Sequence, residues 1–177
     1  MTDLFPEVRV DPTADLDQRF TTRETDAWCR KVAGVEQWDL DVAACDESHL
    51  AETYFTKADD GLTRPWGSFV VTGMRIWCNP PFSDIDPWVQ KAWAEMQRGS
   101  AAPKVIAMLL PASRTEQRWW QERVEPFRDG RFAAFSEALF ETHFLPGRTR
   151  FGHPGNPEGV GVGSPPFGCV LLVWRRT

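Results

Sequence analysis

The chain has 177 residues, 42% hydrophobic and 25% charged, with a formal net charge of −5. That length suits one domain with a proper core; no apolar run approaches the roughly 20 residues of a membrane helix, and residues 1–10, with Asp3 and Glu7, lack a signal-peptide apolar core, so a cytoplasmic protein is expected. The acidic balance excludes a uniformly basic nucleic-acid surface but allows a local one, and the widely spaced Cys29, Cys45, Cys78 and Cys169 offer no C-x-x-C pair, which predicts buried free thiols and no metal.

Along the chain, residues 1–20 are polar and irregular and read as an N-terminal arm; residues 21–177 read as one domain. A helix is predicted from near Thr22, because Thr21 and Glu24 have capping-box spacing, Trp28, Val32 and Val35 follow at i, i+4 and i+7, and Gly34 stands at the stop. Residues 38–43 alternate like a strand, with Asp39 and Asp41 opposite Trp38, Leu40 and Val42. Residues 48–54 suit a short helix, and Asp59-Asp60-Gly61 a turn. Residues 75–78 form a strand that feeds Asn79. A second helix is then expected, capped by Asp84 or Asp86 with Pro87 in its first turn, striped by Val89, Ala92, Trp93 and Met96, and ended by Gly99.

Residues 104–110 are nearly all apolar, as in a strand covered on both faces, and Pro111 ends them. Residues 115–124 read as a third helix. Trp119 and Trp120 cannot both point inward on one helix, so one is expected to pack on a loop or act as a stacking surface. Residues 139–145 and 148–151, joined at Pro146-Gly147, read as a hairpin. A Gly/Pro-rich loop at 152–168, expected to be mobile, leads to a buried strand over 169–174. This order predicts an α/β fold whose sheet is mostly parallel, with an antiparallel C-terminal hairpin and helices on both faces.

The chemistry concentrates at Ile76-Trp77-Cys78-Asn79-Pro80-Pro81-Phe82. Two prolines must stop the strand, because proline lacks the N–H and restricts its predecessor. The turn leaves a carboxamide, backbone carbonyls and an aromatic ring at a strand's carboxyl end, where open α/β sheets bind ligands. Such a set suits a flat molecule with an exocyclic amine: Asn79 and a carbonyl accept from the amine, and Phe82 stacks on the ring. Acids in a two-sided sheet are costly without partners, so Asp41, and less so Asp39, mark a ligand site, with Asp60 a further candidate. Gly159, Gly161 and Gly163 lack the Lys-Ser/Thr of a P-loop and the spacing of a dinucleotide fingerprint. His49, His143 and His153 show neither metal spacing nor a triad partner. Arginines gather late, and Arg148 and Arg150 share one face of an extended segment, suited either to Glu137 and Glu141 or to phosphates.

Taken together, these blocks resemble the phage-type DNA N-6-adenine methyltransferases of the Dam family. The resemblance is carried by Asp39-Leu40-Asp41-Val42-Ala43-Ala44, by Tyr54-Phe55-Thr56 with Asp60-Gly61-Leu62, and by Trp77 to Phe82. It continues in Leu109-Leu110-Pro111-Ala112 with Arg114, Thr115 and Trp119-Trp120, and in Phe144-Leu145-Pro146-Gly147-Arg148 with Phe151-Gly152. It implies a Rossmann-like methyltransferase sheet and S-adenosylmethionine as cofactor. Asn79, Pro80, Pro81 and Phe82 become the catalytic motif, and Asp41, Asp39, Ala43, Thr22 and Asp60 the cofactor contacts. Double-stranded DNA becomes the partner, met by Arg114, Arg148 and Arg150 in a bacterial host cell. Methyl transfer would be direct, to the exocyclic amine of a flipped adenine. The chain departs from the family at Thr22-Arg23, where Thr-Pro is usual, and has no glycine-rich cofactor loop after Asp41. An amino-methyltransferase of RNA or of protein glutamine, and a non-catalytic DNA-binding module of the same fold, remain the alternatives.

Overall fold

The run Val105–Pro111 is buried at every position, and it becomes the middle strand of a five-stranded sheet. The computed structural model describes residues 17–130, 138–161, 163 and 165–176. In chain order the strands are β1 (Phe20–Thr21), β2 (Leu40–Asp41), β3 (Arg75–Cys78), β4 (Val105–Pro111), β5 (Ala138–Phe144), β6 (Phe151–Gly152) and β7 (Cys169–Arg176); the helices are α1 (Arg23–Ala33), α2 (Asp86–Met96) and α3 (Arg118–Arg123). The main sheet runs β2-β3-β4-β7-β5, and β1 and β6 form a separate antiparallel pair.

Side-chain alternation sorts the core onto two faces. Ile76, Cys78, Ile106, Met108, Leu110, Leu172 and Trp174 meet Val89, Ala92 and Met96 of α2 and the two tryptophans of α3. Trp77, Ala107, Leu109, Leu171 and Val173 meet Cys29 and Ala33 of α1 on the other face. The apolar runs that form β4 and β7 are the sequence cause: with neither face wet, neither face tolerates polar residues.

The expected mostly parallel, Rossmann-like sheet is not what the chain forms. Parallel pairing covers two residues between β2 and β3 and four between β3 and β4. β7 instead runs antiparallel to both β4 and β5 over seven residues each. The reason is connectivity. β5, reached from β4 through α3, runs in the same sense as β4, since both lie antiparallel to β7, and β7 enters between them in the opposite sense, which needs no crossover helix.

The expected hairpin at Pro146-Gly147 also fails to form. Leu145 N donates to Cys169 O at 2.9 Å, which keeps the end of β5 on β7, and Phe151 pairs with Thr21 across the chain. No helix forms over 48–54. The Thr53-Tyr54-Phe55 run, good strand formers, lies beside β2: Asp41 N donates to Thr53 O at 3.0 Å and Phe55 N to Asp41 O at 2.8 Å.

Smaller corrections follow local chemistry. The N-cap of α1 is Thr22, not Thr21, and its hydroxyl accepts from Thr25 N; Gly34 closes the helix at φ +63°. No side chain caps α2, whose Asp86 pairs with Arg123; the helix ends at Met96, before Gly99. Trp119 and Trp120 are both buried. Trp120 Nε1 donates to Glu125 Oε2 at 3.0 Å and Trp119 Nε1 to Gln117 Oε1 at 2.8 Å, so each indole has a polar partner while its ring packs. The short α3 is covered over a wide arc, by α2 on one side and the 3-10 turn Glu125–Gly130 on the other. Among the described residues no helix is long and apolar enough to cross a membrane, and no three His, Cys, Asp or Glu side chains gather as a metal site.

Candidate active site

β3 ends at Cys78 and delivers Asn79 to the rim of a cavity of about 380 Å³ at the carboxyl end of the parallel strands. Asn79 Nδ2 donates to the carbonyl of Arg19 at 2.6 Å. A carbonyl can only accept, so this contact decides which way the carboxamide faces. Oδ1 is left buried, with no hydrogen-bond partner among the described residues. An unsatisfied buried acceptor costs about 1–3 kcal/mol, and such an exception asks for an explanation, a ligand donor being one.

The rest of the motif is tightly held. Pro81 lines the cavity beside Trp77 and Trp88, and Pro80 is buried. Phe82 is 1% exposed. Its ring meets Phe151 at 5.8 Å and Phe167 at 6.2 Å, both edge to face. The Arg19 guanidinium covers those two rings at 5.6 and 5.3 Å. Arg114 Nη1 donates to the Phe82 carbonyl, clamping the turn to the segment after β4.

Asp41, on β2, faces the same cavity and is buried. Leu50 N donates to its Oδ2 at 3.0 Å and Ala43 N to its Oδ1 at 3.3 Å. Burial pushes its carboxyl up to about 6, against the smaller pull of those two N–H groups. Between the ordinary carboxylate range and about 6 the folded protein therefore holds a proton that the unfolded chain has released. Its contribution is present below the lower value and is lost as pH rises through the upper one. Denaturation of the ligand-free protein should show that Asp41→Asn removes a fall in stability between about pH 4 and 6, worth up to ~3 kcal/mol. Parallel wild-type and mutant curves across that window would reject the assignment.

The other expected residues divide. Ala43 and Asp60 line the cavity, Asp60 at φ 54° in its turn. Close approach makes the neighbouring Gly61 obligatory there: a Cβ would lie 2.1 Å from the Val42 carbonyl oxygen. Asp39 does not line the cavity; its carboxylate grips Arg75 through Nε at 2.8 Å and Nη2 at 2.6 Å. Thr22 is occupied as the cap of α1, and its neighbour Thr21 lines the cavity instead, with a buried hydroxyl that has no partner among the described residues.

The family model of DNA N-6-adenine-methyltransferase (Dam) matches residues 14–174. The chain belongs to the Dam family. A DNA N-6-adenine-methyltransferase of Escherichia phage T1 is 33% identical over 111 residues, which are 63% of this chain and 42% of that protein. The chain thus spans under half the length of this relative. No solved structure matches it.

In this Dam-family chain the expected DNA-facing arginines have different surroundings. Arg148 and Arg150 are exposed on either side of buried Thr149, ahead of β6, while Arg114 is committed to the Phe82 turn. Gly152 is required where the loop folds back, since a Cβ would sit 1.8 Å from the Pro157 carbonyl oxygen. Sequence reasoning missed Asp17, Arg19, Thr21, Lys57 and Trp88 as cavity residues. For Asp17 and Arg19 no local signal could have found them: their partners in the motif lie 60 or more positions away.

Proposed function

We propose that this protein methylates adenine N6 in double-stranded DNA, with S-adenosylmethionine as donor. The observation that carries the reading is Asn79 Oδ1, a buried acceptor without a partner beside a cavity that also holds a buried carboxylate. The cavity fits the cofactor in kind: Asp41 offers charge to an ammonium or to hydroxyls, the Thr21 hydroxyl lacks a partner, and Trp77 and Trp88 offer apolar walls. Ala43 and Asp60 complete the cofactor contacts, while Asp39 and Thr22 support them from outside the cavity. When bound, S-adenosylmethionine supplies an electrophilic methyl group.

The adenine would leave the helix stack to reach the motif. Asn79 Oδ1 and the Pro80 carbonyl would accept its amine hydrogens, aiming the nitrogen lone pair at the methyl carbon. The N–C bond would form as the donor's S–C bond breaks, the electron pair staying on sulfur as a neutral thioether, and the surplus amine proton would leave to water. Pro81 fixes the turn and Phe82 supports the base. No covalent enzyme intermediate is involved; the rate comes from positioning and from preorganised dipoles. The phage origin of the T1 relative supports action in the cytoplasm of a bacterial host.

Incubation with labelled donor and separate DNA, RNA and protein acceptors, followed by nucleoside analysis, tests the reading. Label in N6-methyladenine of DNA is expected; label on cytosine, or only in RNA or protein, would overturn it. Arg148 and Arg150 are assigned to phosphates, with Arg114 acting through the turn. Replacing both with alanine should weaken DNA binding across all sequences and reduce the salt slope by about 1 for each phosphate that is no longer neutralised. Cofactor affinity should not change, and an unaltered slope would remove both residues from the interface.

A further inference from the structure

We infer that the segment ahead of α1, through Asp17 and Arg19, positions Asn79; the inference rests on the role just given to Asn79. Three contacts fasten this strap over the motif. The Asp17 carboxylate accepts from Ser83 Oγ at 2.9 Å and from Ser83 N at 3.2 Å, immediately after Phe82. The Arg19 guanidinium lies over both Phe151 and Phe167, the two rings that enclose Phe82. Phe20 and Thr21 then pair with Gly152 and Phe151.

Between these anchors the Arg19 carbonyl takes the Asn79 amide hydrogen. That single bond sets the orientation of the carboxamide. With it, Oδ1 faces away from the strap as an acceptor; without it, the amide can turn over and present NH2, a donor that would repel the substrate's own amine. Asp17 and Arg19 reach no reacting atom in this scheme. They are positioning residues, and their work is to hold one main-chain carbonyl in place.

The test uses the full chain with Asp17→Ala, Asp17→Glu, Ser83→Ala and Arg19→Ala. Asp17→Ala, Ser83→Ala and Arg19→Ala should each lower kcat by about tenfold or more, as misplacement near a reacting centre does, and Ser83→Ala, whose side chain lies outside the cavity, should leave the KM for S-adenosylmethionine within about twofold. Asp17→Glu, which keeps the carboxylate, should recover part of the loss. The Asn79 side-chain amide gives a readout independent of activity. Its NMR signals should exchange with solvent faster in Asp17→Ala than in the parent, while the melting temperature stays close to the parent's. Parent-like kcat with unchanged amide exchange would overturn the inference. A parent that methylates no adenine would instead overturn the functional reading, and the amide exchange would still decide whether the strap holds Asn79.

Discussion

Asn79→Ala should reduce methyl transfer by on the order of a hundredfold or more, the scale of losing a preorganised polar contact at a reacting centre. Two interactions vanish together: the acceptor at Oδ1 and the bond from Nδ2 to the Arg19 carbonyl. The second loss is a stability effect of about 1 kcal/mol, since a single neutral hydrogen bond is worth that much net. It is too small to unfold a domain and too small to produce the kinetic loss. Asp41 lies on a different strand, so cofactor binding should survive, which calorimetry with the donor or its demethylated product checks. Single-turnover rates equal to the parent's would end the assignment of Asn79. A fall in cofactor affinity matching the fall in rate would move Asn79 from the acceptor site to the cofactor site.

Glu95→Ala should cost about 3 kcal/mol of stability, because it breaks a buried ionic network by removing its centre. The Glu95 side chain is 3% exposed and bridges Lys91 at 2.8 Å and Arg98 at 2.9 Å. It also accepts from the backbone N–H groups of Trp66 at 3.0 Å and Gly67 at 3.2 Å. Burial alone would raise its carboxyl, but Lys91, Arg98 and the Trp66 N–H outweigh that and hold it below the ordinary range. Its contribution is therefore present at neutral pH and is lost as acid takes the pH down through that lowered value. The two cations can swing into solvent when the carboxylate goes; the two N–H groups cannot. The damage should reach the cavity, because Trp66 Nε1 holds the Gly61 carbonyl at 2.7 Å and Gly61 lines it. Urea denaturation should show a lower midpoint with an unchanged slope. A midpoint within error of the parent's would show that Trp66 and Gly67 find other partners.

Much of the chain was legible in its residues alone. The period-3.6 stripe ahead of Gly34 became α1, and the all-apolar stretch before Pro111 became a strand buried on both faces, because burial on that scale leaves no choice of residue. The Asn-Pro-Pro-Phe turn announced itself through covalent facts about proline that hold in any fold. Acids within an apolar alternation pointed to Asp41, and Asp41 does face the cavity.

Strand direction was not legible. Side-chain alternation is the same whichever way a neighbour runs, so nothing in Cys169-Val170-Leu171-Leu172-Val173-Trp174 could reveal that β7 lies antiparallel between β4 and β5. Asp39 and Asp41 look alike in sequence, yet one is spent on Arg75 and the other is left buried with two backbone donors. Nor could local pattern show that Asp17 and Arg19 close over Asn79 and Ser83. Helix and strand periodicities report contacts within a few residues, whereas the contacts that orient the carboxamide join positions 60 and more apart, and only the folded chain brings those together.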